Sequence, residues 1–468
     1  MNIDPLALNA FLEQKHRVLR MPGMAVAVVS DGQVAYLRGL GAAAPGRSMT
    51  AQTPLILGSL SKSLTALAIL QLIEADKLAL DIPVQEYIPW FRLADAVASA
   101  SITVKHLLEH TSGISRYDGR VFLAGRGGKT IEQSVRDLRS LKLTKPVGTT
   151  YQYSNINYLI LGFVIEVMSG HHFGEYIQQH IFTPLGMLQS FTNEDAARWE
   201  GLATGHRWWF GVPVPFRAPY LDDALPAAFV AASVEDLAHY VLALLSDGQF
   251  DGISVLSPAG IADLFRPQVP IATGGSYGFG WRIDSLAGVP IIRHGGEVSN
   301  FLAEMVLIPQ LKLGIIVLMN CNNGLVPLVL PEAIRVASEV VRFLLRIPQV
   351  PAGRRWSVRS FYALLDVALA ALSGYQLWSL VQVARFGSLG LGLAALGEVA
   401  LAVAAWRLIP RRVADAPWSL LWLYVPDLVI WLAIFSSCSL LKVAIFVFGR
   451  FLNFLFRLNS REAACRAE

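Results

Sequence analysis

The chain has 468 residues, of which 54% are hydrophobic and 16% are charged. Soluble domains have about a quarter of their residues charged, so this composition excludes a disordered chain, and the mean hydropathy of +0.46 indicates apolar segments beyond a soluble core. The net charge of +4 is too small for a typical nucleic-acid-binding protein, and the three widely spaced cysteines predict neither a disulfide framework nor a zinc site.

Residues 1–345 are predicted to form a globular domain with strands at both ends and helices between them. Residues 1–20 lack the apolar stretch that a secretory signal needs and are typical of a first helix. Asp31-Gly32 joins two short apolar runs, as in a β-hairpin. Apolar periodicity predicts helices at 64–75, 156–168 and 327–346 and strands at 24–29, 33–38, 277–284, 301–308 and 314–319. This order indicates one mixed sheet assembled from both ends of the domain, with a helical insertion.

The apolar excess lies after residue 360. Three stretches, 361–383, 388–406 and 419–437, approach the roughly 20 apolar residues that cross a bilayer, and three buried core helices are the alternative. A fourth stretch, 438–456, contains Lys442 and Arg450, so it is predicted either to span the membrane or to lie on its surface as a basic helix. The sequence therefore predicts a basic linker at 346–360 and a transmembrane helical region at 361–457 that contacts the lipid bilayer.

Two short patterns match known catalytic motifs but lack the context that those motifs need. Residues 274–278, GGSYG, match the nucleophile elbow G-x-S-x-G, which requires a strand before it and a helix after it, so a turn is predicted instead. His106-Leu107-Leu108-Glu109-His110 matches H-x-x-E-H, with two imidazoles one helical turn apart. A zinc peptidase built on His106 and His110 needs a further ligand and stays an alternative.

Ser59 and Lys62 form the stronger pattern. Ser59-Leu60-Ser61-Lys62 opens a predicted helix at 59–75, and the spacing of three places the hydroxyl and the amine on one face. A serine hydroxyl becomes a nucleophile when a neighbouring base takes its proton. A half-buried lysine near a helix N-terminus can have a lowered pKa and act as that base. The same spacing also occurs on exposed helices, so further residues are needed to support this reading.

Two further segments, Tyr153-Ser154-Asn155 and His294-Gly295-Gly296, supply that support. With them the chain resembles the serine β-lactamase-related family, which includes class C β-lactamases, penicillin-binding D-alanyl-D-alanine carboxypeptidases, related esterases and D-aminopeptidases. The matching text includes GSLSKSLTA (58–66), VKHLLEHTSGIS (104–115), GTTYQYSNINYLILGFVIEVMSG (148–170), YGFGW (277–281) and RHGGEVSNF (293–301). The resemblance implies an α/β (α+β) fold of the β-lactamase/transpeptidase type. Such a fold has a mixed antiparallel sheet flanked by helices and a helical subdomain, and here a C-terminal α-helical membrane bundle follows it.

The resemblance implies a role for each matching residue. Ser59 is expected to form the acyl-enzyme with Lys62 as its partner, and Tyr153 is expected to share the proton transfers, as base in acylation or through water in deacylation. Asn155 is expected to hold the substrate amide. The backbone N–H groups of Ser59 and Glu297 are expected to form the oxyanion hole.

The third motif departs from the β-lactamase pattern. β-Lactamases typically have Lys-Thr-Gly there, whereas this chain has His294-Gly295-Gly296. His294, Gly296 and Glu297 are expected to bind the substrate. The permanent cation is thus replaced by a group that ordinarily titrates near neutrality, so His294 is expected to tune the pH profile and the substrate range. An ester or a D-amino-acid peptide or amide is therefore a more suitable substrate than a β-lactam.

The sequence predicts a membrane-anchored serine hydrolase for a small-molecule or peptide substrate, with no cofactor, metal or nucleic acid. A catalytically silent, penicillin-binding-like regulatory protein is the main alternative. The family implies an extracytoplasmic catalytic domain, whereas the arginines before the first span (Arg346, Arg354, Arg355 and Arg359) favour the cytoplasm. A signal peptide upstream of Met1 is the hypothesis that reconciles the two.

Overall fold

The computed structural model describes residues 3–125, 127–322, 333–349, 358–386 and 389–465. The chain divides into two compact units. The first contains residues 1–208 and 213–355, and the second contains residues 209–212 and 356–468. The two units are described separately.

The helices in chain order are Pro5–Leu19 (α1), Ser61–Glu74 (α2), Val84–Tyr87 (α3), Ala96–Ser101 (α4), Val104–Leu108 (α5), Arg116–Leu123 (α6), Ile131–Arg136 (α7), Asn155–Ser169 (α8), Phe173–Ile177 (α9), Glu194–Trp199 (α10), Val234–Leu245 (α11), Pro258–Leu264 (α12), Val336–Leu344 (α13), Val358–Phe386 (α14), Leu389–Leu408 (α15), Trp418–Tyr424 (α16) and Pro426–Cys465 (α17). The predicted helix 327–346 is thus described as α13, preceded by a 3-10 turn at Ala333–Arg335. Its first six residues, 327–332, lie outside the described residues, as do residues 350–357 of the predicted linker.

The strands are Gly23–Ser30 (β1), Gln33–Ala44 (β2), Arg47–Ser48 (β3), Leu55–Ile56 (β4), His206–Trp209 (β5), Val212–Pro215 (β6), Ala231–Ala232 (β7), Gln249–Phe250 (β8), Ile253–Ser254 (β9), Val269–Pro270 (β10), Ser276–Tyr277 (β11), Arg282–Leu286 (β12), Val289–Val298 (β13), Phe301–Ile308 (β14), Leu313–Met319 (β15) and Cys321–Asn322 (β16). Nine of them form one antiparallel sheet in the order β10-β11-β12-β13-β14-β15-β1-β2-β3. The prediction of a sheet built from both ends of the domain is confirmed, because β1 pairs with both β2 and β15.

Strand β1 is buried along its whole length, so both faces of the sheet are covered. Successive side chains of a strand point to opposite faces. Ala25, Ala27 and Val29 lie in the main hydrophobic core, which also contains residues of α2, α8 and α11. On β14, which is separated from β1 by β15, Glu304 accepts hydrogen bonds from the Ala337 N–H and the Ser338 hydroxyl of α13.

The predicted strand 277–284 is wrong. Residues 276–277 and 282–286 form two short antiparallel strands, β11 and β12, and the chain turns between them. Gly280 has φ +76° in that turn, and Phe279 and Trp281 are buried in the core. In the sequence Phe279 and Trp281 alternate with glycine, which resembles the alternation of a strand, but Gly280 forms a turn. The turn predicted at 274–278 is confirmed by Gly274 and Gly275, with φ +96° and +72°.

Among its described residues, the second unit has three helices that are long and apolar enough to cross a membrane, with candidate spans Tyr362–Phe386, Leu389–Val413 and Pro426–Leu455. The first two lie on the first and second predicted stretches. The third and fourth predicted stretches meet within one continuous helix, α17, and the break in this region falls earlier, at Val425 between α16 and α17. Pro426 explains that break, since proline disfavours the helical conformation of the residue before it.

Polar side chains from all three long helices meet inside the second unit. Lys442 of α17 lies 2.8 Å from the Glu398 carboxylate of α15 and also donates to the Gln376 side chain of α14. The Ser439 hydroxyl donates to the same carboxylate at 3.2 Å. Lys442, Gln376 and Ser439 are each at most 1% exposed, so this polar cluster is enclosed by the helices that supply it.

Candidate active site

Two glycines bring the start of α2 against strand β13. A Cβ atom at Gly58, which has φ +55°, would lie 2.4 Å from the Glu297 nitrogen, and one at Gly296 would lie 1.8 Å from the Leu57 carbonyl oxygen. A side chain at either position would overlap the opposite backbone, so the close approach requires glycine. This contact sets the residues around Ser59 beside the backbone of Glu297.

Ser59 lies in a 3-10 turn, Gly58–Leu60, that continues directly into α2. The predicted helix 59–75 therefore has a tighter first turn. Residues 61–70 are all buried, because α2 is apolar on every side apart from a few small polar residues and Lys62. Ser59 itself is half-buried, so it remains accessible from solvent.

Lys62 points back along α2 to Ser59. Its Nζ atom lies 3.2 Å from Ser59 Oγ, 2.8 Å from Asn155 Oδ1 and 2.7 Å from the Ala227 carbonyl oxygen. The side chain is 0% exposed. Burial holds the pKa of the Lys62 amine well below its ordinary value, since the charged form loses its hydration.

The lowered pKa of Lys62 favours its neutral form, and the three contacts are compatible with that form. The Asn155 Oδ1 and Ala227 carbonyl oxygens can only accept, so each takes one N–H of Lys62. A neutral amine has two N–H bonds and one lone pair, and the lone pair is then directed at the Ser59 hydroxyl. The arrangement can therefore remove the proton of Ser59.

The Tyr153 ring lies next to the Lys62 amine. The Lys62 Nζ atom is 4.9 Å from the centre of the Tyr153 ring and 5.6 Å from that of Tyr158. Burial raises the pKa of the Tyr153 hydroxyl well above its ordinary value, and a hydrogen bond with Ser59 opposes that rise. Tyr153 is therefore a neutral phenol around neutral pH, not a phenolate.

Asn155 begins helix α8 and lies beside both motifs. Its Oδ1 atom accepts from Lys62, and its Nδ2 atom donates to the Gly119 carbonyl oxygen of α6 at 3.2 Å. A Cβ atom at Gly119 would lie 2.7 Å from the Asn155 nitrogen, so glycine also allows this close packing. In this structure the Asn155 amide orients Lys62.

His294 is buried, and both of its ring nitrogens have partners. The Nδ1 atom lies 2.7 Å from the Gly295 carbonyl oxygen, which can only accept, so Nδ1 carries the proton. The Nε2 atom is thus unprotonated and accepts a hydrogen bond from the Tyr277 hydroxyl at 3.1 Å. Burial lowers the pKa of His294 to about 3, because the charged imidazolium loses its hydration. The expectation of a group titrating near neutrality is wrong, because the enclosed imidazole stays neutral.

The two histidines of the H-x-x-E-H pattern do not share a helix face. Helix α5 ends at Leu108, and His110 has φ +60°, in the left-handed region. His106 accepts from the Thr103 N–H and completes the N-terminal cap of α5. His110 is buried beside Tyr153, with ring centres 4.4 Å apart. Within the described part of the chain, no three His, Cys, Asp or Glu side chains form a group that could hold a metal ion.

The sequence analysis did not assign several groups to this site. The Ala227 carbonyl, Tyr277 and His110 come from segments far from Ser59 in sequence. Tyr277 and His110 lie in matched text, YGFGW and HTSG, which could have identified them. The Ala227 carbonyl has no signal in sequence, because a backbone oxygen is common to every residue.

The sheet with its flanking helices, and a serine and a lysine at the start of a buried helix, are the arrangement of the β-lactamase and penicillin-binding-protein fold. The family model for beta-lactamase matches residues 8–377. Penicillin-binding protein 4 of Amycolatopsis lactamdurans is 32% identical over 328 residues, which cover 67% of this chain and 83% of that protein. The chain therefore belongs to the β-lactamase family.

Two further proteins show the breadth of this similarity. The unguisins hydrolase of Aspergillus campestris is 28% identical over 318 residues, covering 64% of this chain, and the chain spans only 58% of its length. The octameric penicillin-binding protein homologue from Pyrococcus abyssi superimposes with a TM-score of 0.63 at 27% identity, over 74% of this chain and 78% of that chain. The matches cover about two thirds to three quarters of this chain.

Proposed function

We propose that the protein forms an acyl-enzyme on Ser59 and hydrolyses an ester or a D-amino-acid peptide or amide. The carrying observation is the enclosed Lys62 amine at 3.2 Å from Ser59 Oγ, with its other two contacts directed to acceptors. An amine whose pKa burial lowers well below its ordinary value is a more suitable base for a serine hydroxyl than an ordinary lysine.

In the first step the Ser59 proton passes to Lys62 while Oγ bonds to the substrate carbonyl carbon. The negative charge that develops on the carbonyl oxygen is received by the backbone N–H groups of Ser59 and Glu297, at the contact that Gly58 and Gly296 allow. The bond to the leaving group then breaks, and the leaving group takes a proton. Water then attacks the acyl carbon while Lys62 takes its proton. The bond from that carbon to Ser59 Oγ breaks, Lys62 returns the proton to Oγ, and the acid and the free Ser59 hydroxyl are released.

Tyr153 acts in this scheme as a proton relay. Its hydroxyl hydrogen-bonds with Ser59, and burial keeps the pKa of that hydroxyl above its ordinary value. A neutral phenol can donate its own proton to the leaving group while it accepts one from Lys62. This role replaces the phenolate base that the resemblance allows.

The neutral His294 bears on the substrate. Both ring nitrogens are engaged within the protein, so His294 offers no cation to a substrate carboxylate. This favours a neutral ester or amide over a β-lactam, whose carboxylate needs a fixed positive charge. The relatives' names refer to penicillin and to unguisins, so they point to more than one class of substrate.

The C-terminal helices are proposed to anchor the catalytic unit to a membrane, with three spans. Their length and apolar composition support this role. A chain that ends at residue 345 is expected to stay soluble and to keep its hydrolytic activity, whereas the full chain partitions into detergent. Aggregation or loss of activity in the short chain would mean that the helices are part of the catalytic fold.

Covalent labelling of the full chain in detergent tests the proposal. A fluorophosphonate probe is expected to modify wild type but not Ser59→Ala, with mass spectrometry placing the adduct on Ser59, and Ser276→Ala serves as the matched control that still labels. Lys62→Ala and Tyr153→Phe are each expected to lower turnover about a hundredfold or more, and the double variant less than the product of the two. A folded wild type that neither labels nor hydrolyses a panel of small esters and D-peptides would instead support a silent, regulatory protein.

A further inference from the structure

His110 belongs to the H-x-x-E-H pattern, which the proposed function does not use. It is 0% exposed and has a left-handed backbone, which is uncommon outside glycine and asparagine. A buried residue in such a conformation persists only where its surroundings fix it. The contacts that fix His110 come mainly from one segment, residues 151–158, which contains Tyr153.

Hydrogen bonds join His110 to that segment on two sides. The Ser154 N–H donates to His110 Nδ1 at 3.2 Å, and the Asn157 side-chain amide lies 3.0 Å from the same atom. The Gln152 N–H donates to the His110 carbonyl oxygen at 2.8 Å. Backbone groups immediately before and after Tyr153 are therefore both attached to His110.

Neighbouring residues reinforce the attachment. The Ser112 hydroxyl donates to Asn157 Oδ1 at 2.7 Å, which orients the Asn157 amide towards His110. The Tyr158 hydroxyl donates to the Leu108 carbonyl oxygen at 3.2 Å. Residues 108–112 thus form a clamp along the segment 151–158.

The His110 ring also contacts the Tyr153 ring directly. Their centres are 4.4 Å apart, and Tyr277 and Tyr158 complete the surroundings at 5.0 and 5.2 Å. A backbone N–H can only donate, so His110 Nδ1 is unprotonated and the ring proton is on Nε2. A protonated imidazole would lose the Ser154 hydrogen bond and would add a cation near Lys62.

We propose that His110 is a positioning residue for Tyr153, because its ring and its Nδ1 atom hold the segment 151–158 so that the Tyr153 hydroxyl stays at Ser59 and its ring covers Lys62. The inference rests on the proposed function and names a residue that acts only through Tyr153. The HTSG segment, residues 110–113, thus affects the reaction by holding Tyr153 in place.

The titratable groups around His110 determine how its removal would be observed. Lys62 of α2 and His294 of β13 act on it electrostatically, and the aromatic groups that face it are Tyr151, Tyr153, Tyr158 and Tyr277. The pKa values of Lys62 and Tyr153 are displaced by burial. Water entering the space of a missing imidazole would return both values towards their ordinary range.

The test uses His110→Ala and His110→Asn in the full chain, with phenyl acetate as the substrate. His110→Ala is expected to lower kcat about a hundredfold, the usual effect of misplacing a reacting group by about 1 Å, with little change in KM. The acid limb of the kcat/KM profile should move to higher pH, because a hydrated Lys62 is protonated up to a higher pH. His110→Asn, which tolerates the left-handed backbone and keeps a hydrogen-bond acceptor, should recover part of the loss.

A double-mutant cycle decides whether the effect passes through Tyr153. In the Tyr153→Phe background, His110→Ala is expected to cost less than about threefold, since the two residues act as one unit. The matched control is His206→Ala, a buried histidine elsewhere in the first unit, whose Nδ1 atom lies 3.1 Å from the Asn320 carbonyl oxygen. It should lower the melting temperature without moving the acid limb.

Equal losses in both backgrounds, or an unmoved acid limb, would overturn the inference. NMR of tyrosine labelled with 13C at the ζ carbon gives a readout that needs no turnover. The Tyr153 signal, identified by its absence in Tyr153→Phe, should titrate at lower pH in His110→Asn and in any folded His110→Ala. If the wild type is inactive but the Tyr153 titration still shifts in the His110 variants, the proposed hydrolase is refuted and the positioning role of His110 stands. If the Tyr153 titration is unchanged, only the positioning role is refuted.

Discussion

Glu304, on the central strand β14, accepts a hydrogen bond of 2.8 Å from the Ser338 hydroxyl of α13 and is almost completely enclosed. Burial raises the pKa of this carboxyl to about 7, although the hydrogen bonds from Ser338 and Ala337 oppose the rise. The site thus attaches the last helix of the first unit to the sheet through a group that titrates near neutrality.

The Glu304 pKa predicts a stability that falls with rising pH. The folded protein binds this proton more tightly than the unfolded chain, so its contribution is complete below about pH 4.5 and is lost as the pH rises through 7. The full difference amounts to about 3 kcal/mol. Melting temperatures of Glu304→Gln should decline less than those of wild type between pH 5 and 8. The exposed Glu200→Gln should follow wild type, and parallel curves for Glu304→Gln would contradict the prediction.

Gly296→Ala should disable the site, because a methyl group there would overlap the Leu57 carbonyl oxygen at 1.8 Å. Strand β13 would have to move away from Ser59, so hydrolysis should fall by about a hundredfold or more. Gly295→Ala is the matched control, since a Cβ at that position meets only the Ala303 carbonyl oxygen, at 3.8 Å. Steady-state kinetics of the two variants, with circular dichroism as a folding check, measures the difference. Equal activities would contradict the proposed oxyanion hole.

His294→Lys should change the preference between substrates. The present imidazole is neutral, with its pKa lowered to about 3, and a lysine would add a donor and a charge next to Tyr277. The measured quantity is kcat/KM for a carboxylate-bearing phenyl ester divided by kcat/KM for its neutral analogue. This ratio should rise about tenfold or more, because a charge-assisted hydrogen bond to the carboxylate contributes a free energy of that size. Tyr277→Phe removes the hydrogen bond without adding charge and should leave this ratio unchanged. An unaltered ratio in His294→Lys would count against His294 as a substrate-facing residue.

Glu398 and Lys442 should depend on each other in the second unit. Their atoms are 2.8 Å apart and lie in apolar surroundings, so removing one charge leaves the other unpaired. Each of Glu398→Gln and Lys442→Met should destabilise the unit by about 3–5 kcal/mol, and the double variant should recover most of that loss. Thermal unfolding in detergent measures this, with the exposed Arg385→Gln as the control. Additive losses would show that the two side chains do not interact, and hydrolysis should be the same in all four proteins.

Local sequence predicted the elements whose patterns are self-contained. The hairpin around Asp31-Gly32 and the helix predicted from Ser59 depend on residues near each other in sequence. Both are present, although α2 itself begins at Ser61 after a 3-10 turn. The strand 277–284 was wrong because buried Phe279 and Trp281 alternate with glycine as strand residues do, and no local signal distinguishes a turn that packs into the core.

The fine structure of the site depends on long-range contacts, which explains why it could not be predicted. The lowered pKa of the Lys62 amine follows from its complete burial, to which segments far along the chain contribute. The neutral state of His294 follows from its enclosure with Tyr277. A sequence motif shows which ionisable group is present. It does not show how deeply the assembled fold buries that group, and burial determines its pKa.

The pairing of β1 with β15 has a consequence for biosynthesis. Met24 lies opposite Met319, so β1 acquires this neighbour only after roughly 300 further residues have been made, or about 15–60 s at usual translation rates. During that interval the apolar segment GMAVAVVS has β2 on one edge and an unsatisfied edge on the other. The nascent chain therefore passes through a prolonged aggregation-prone stage, in which a chaperone bound at residues 23–30 would increase the yield of folded protein.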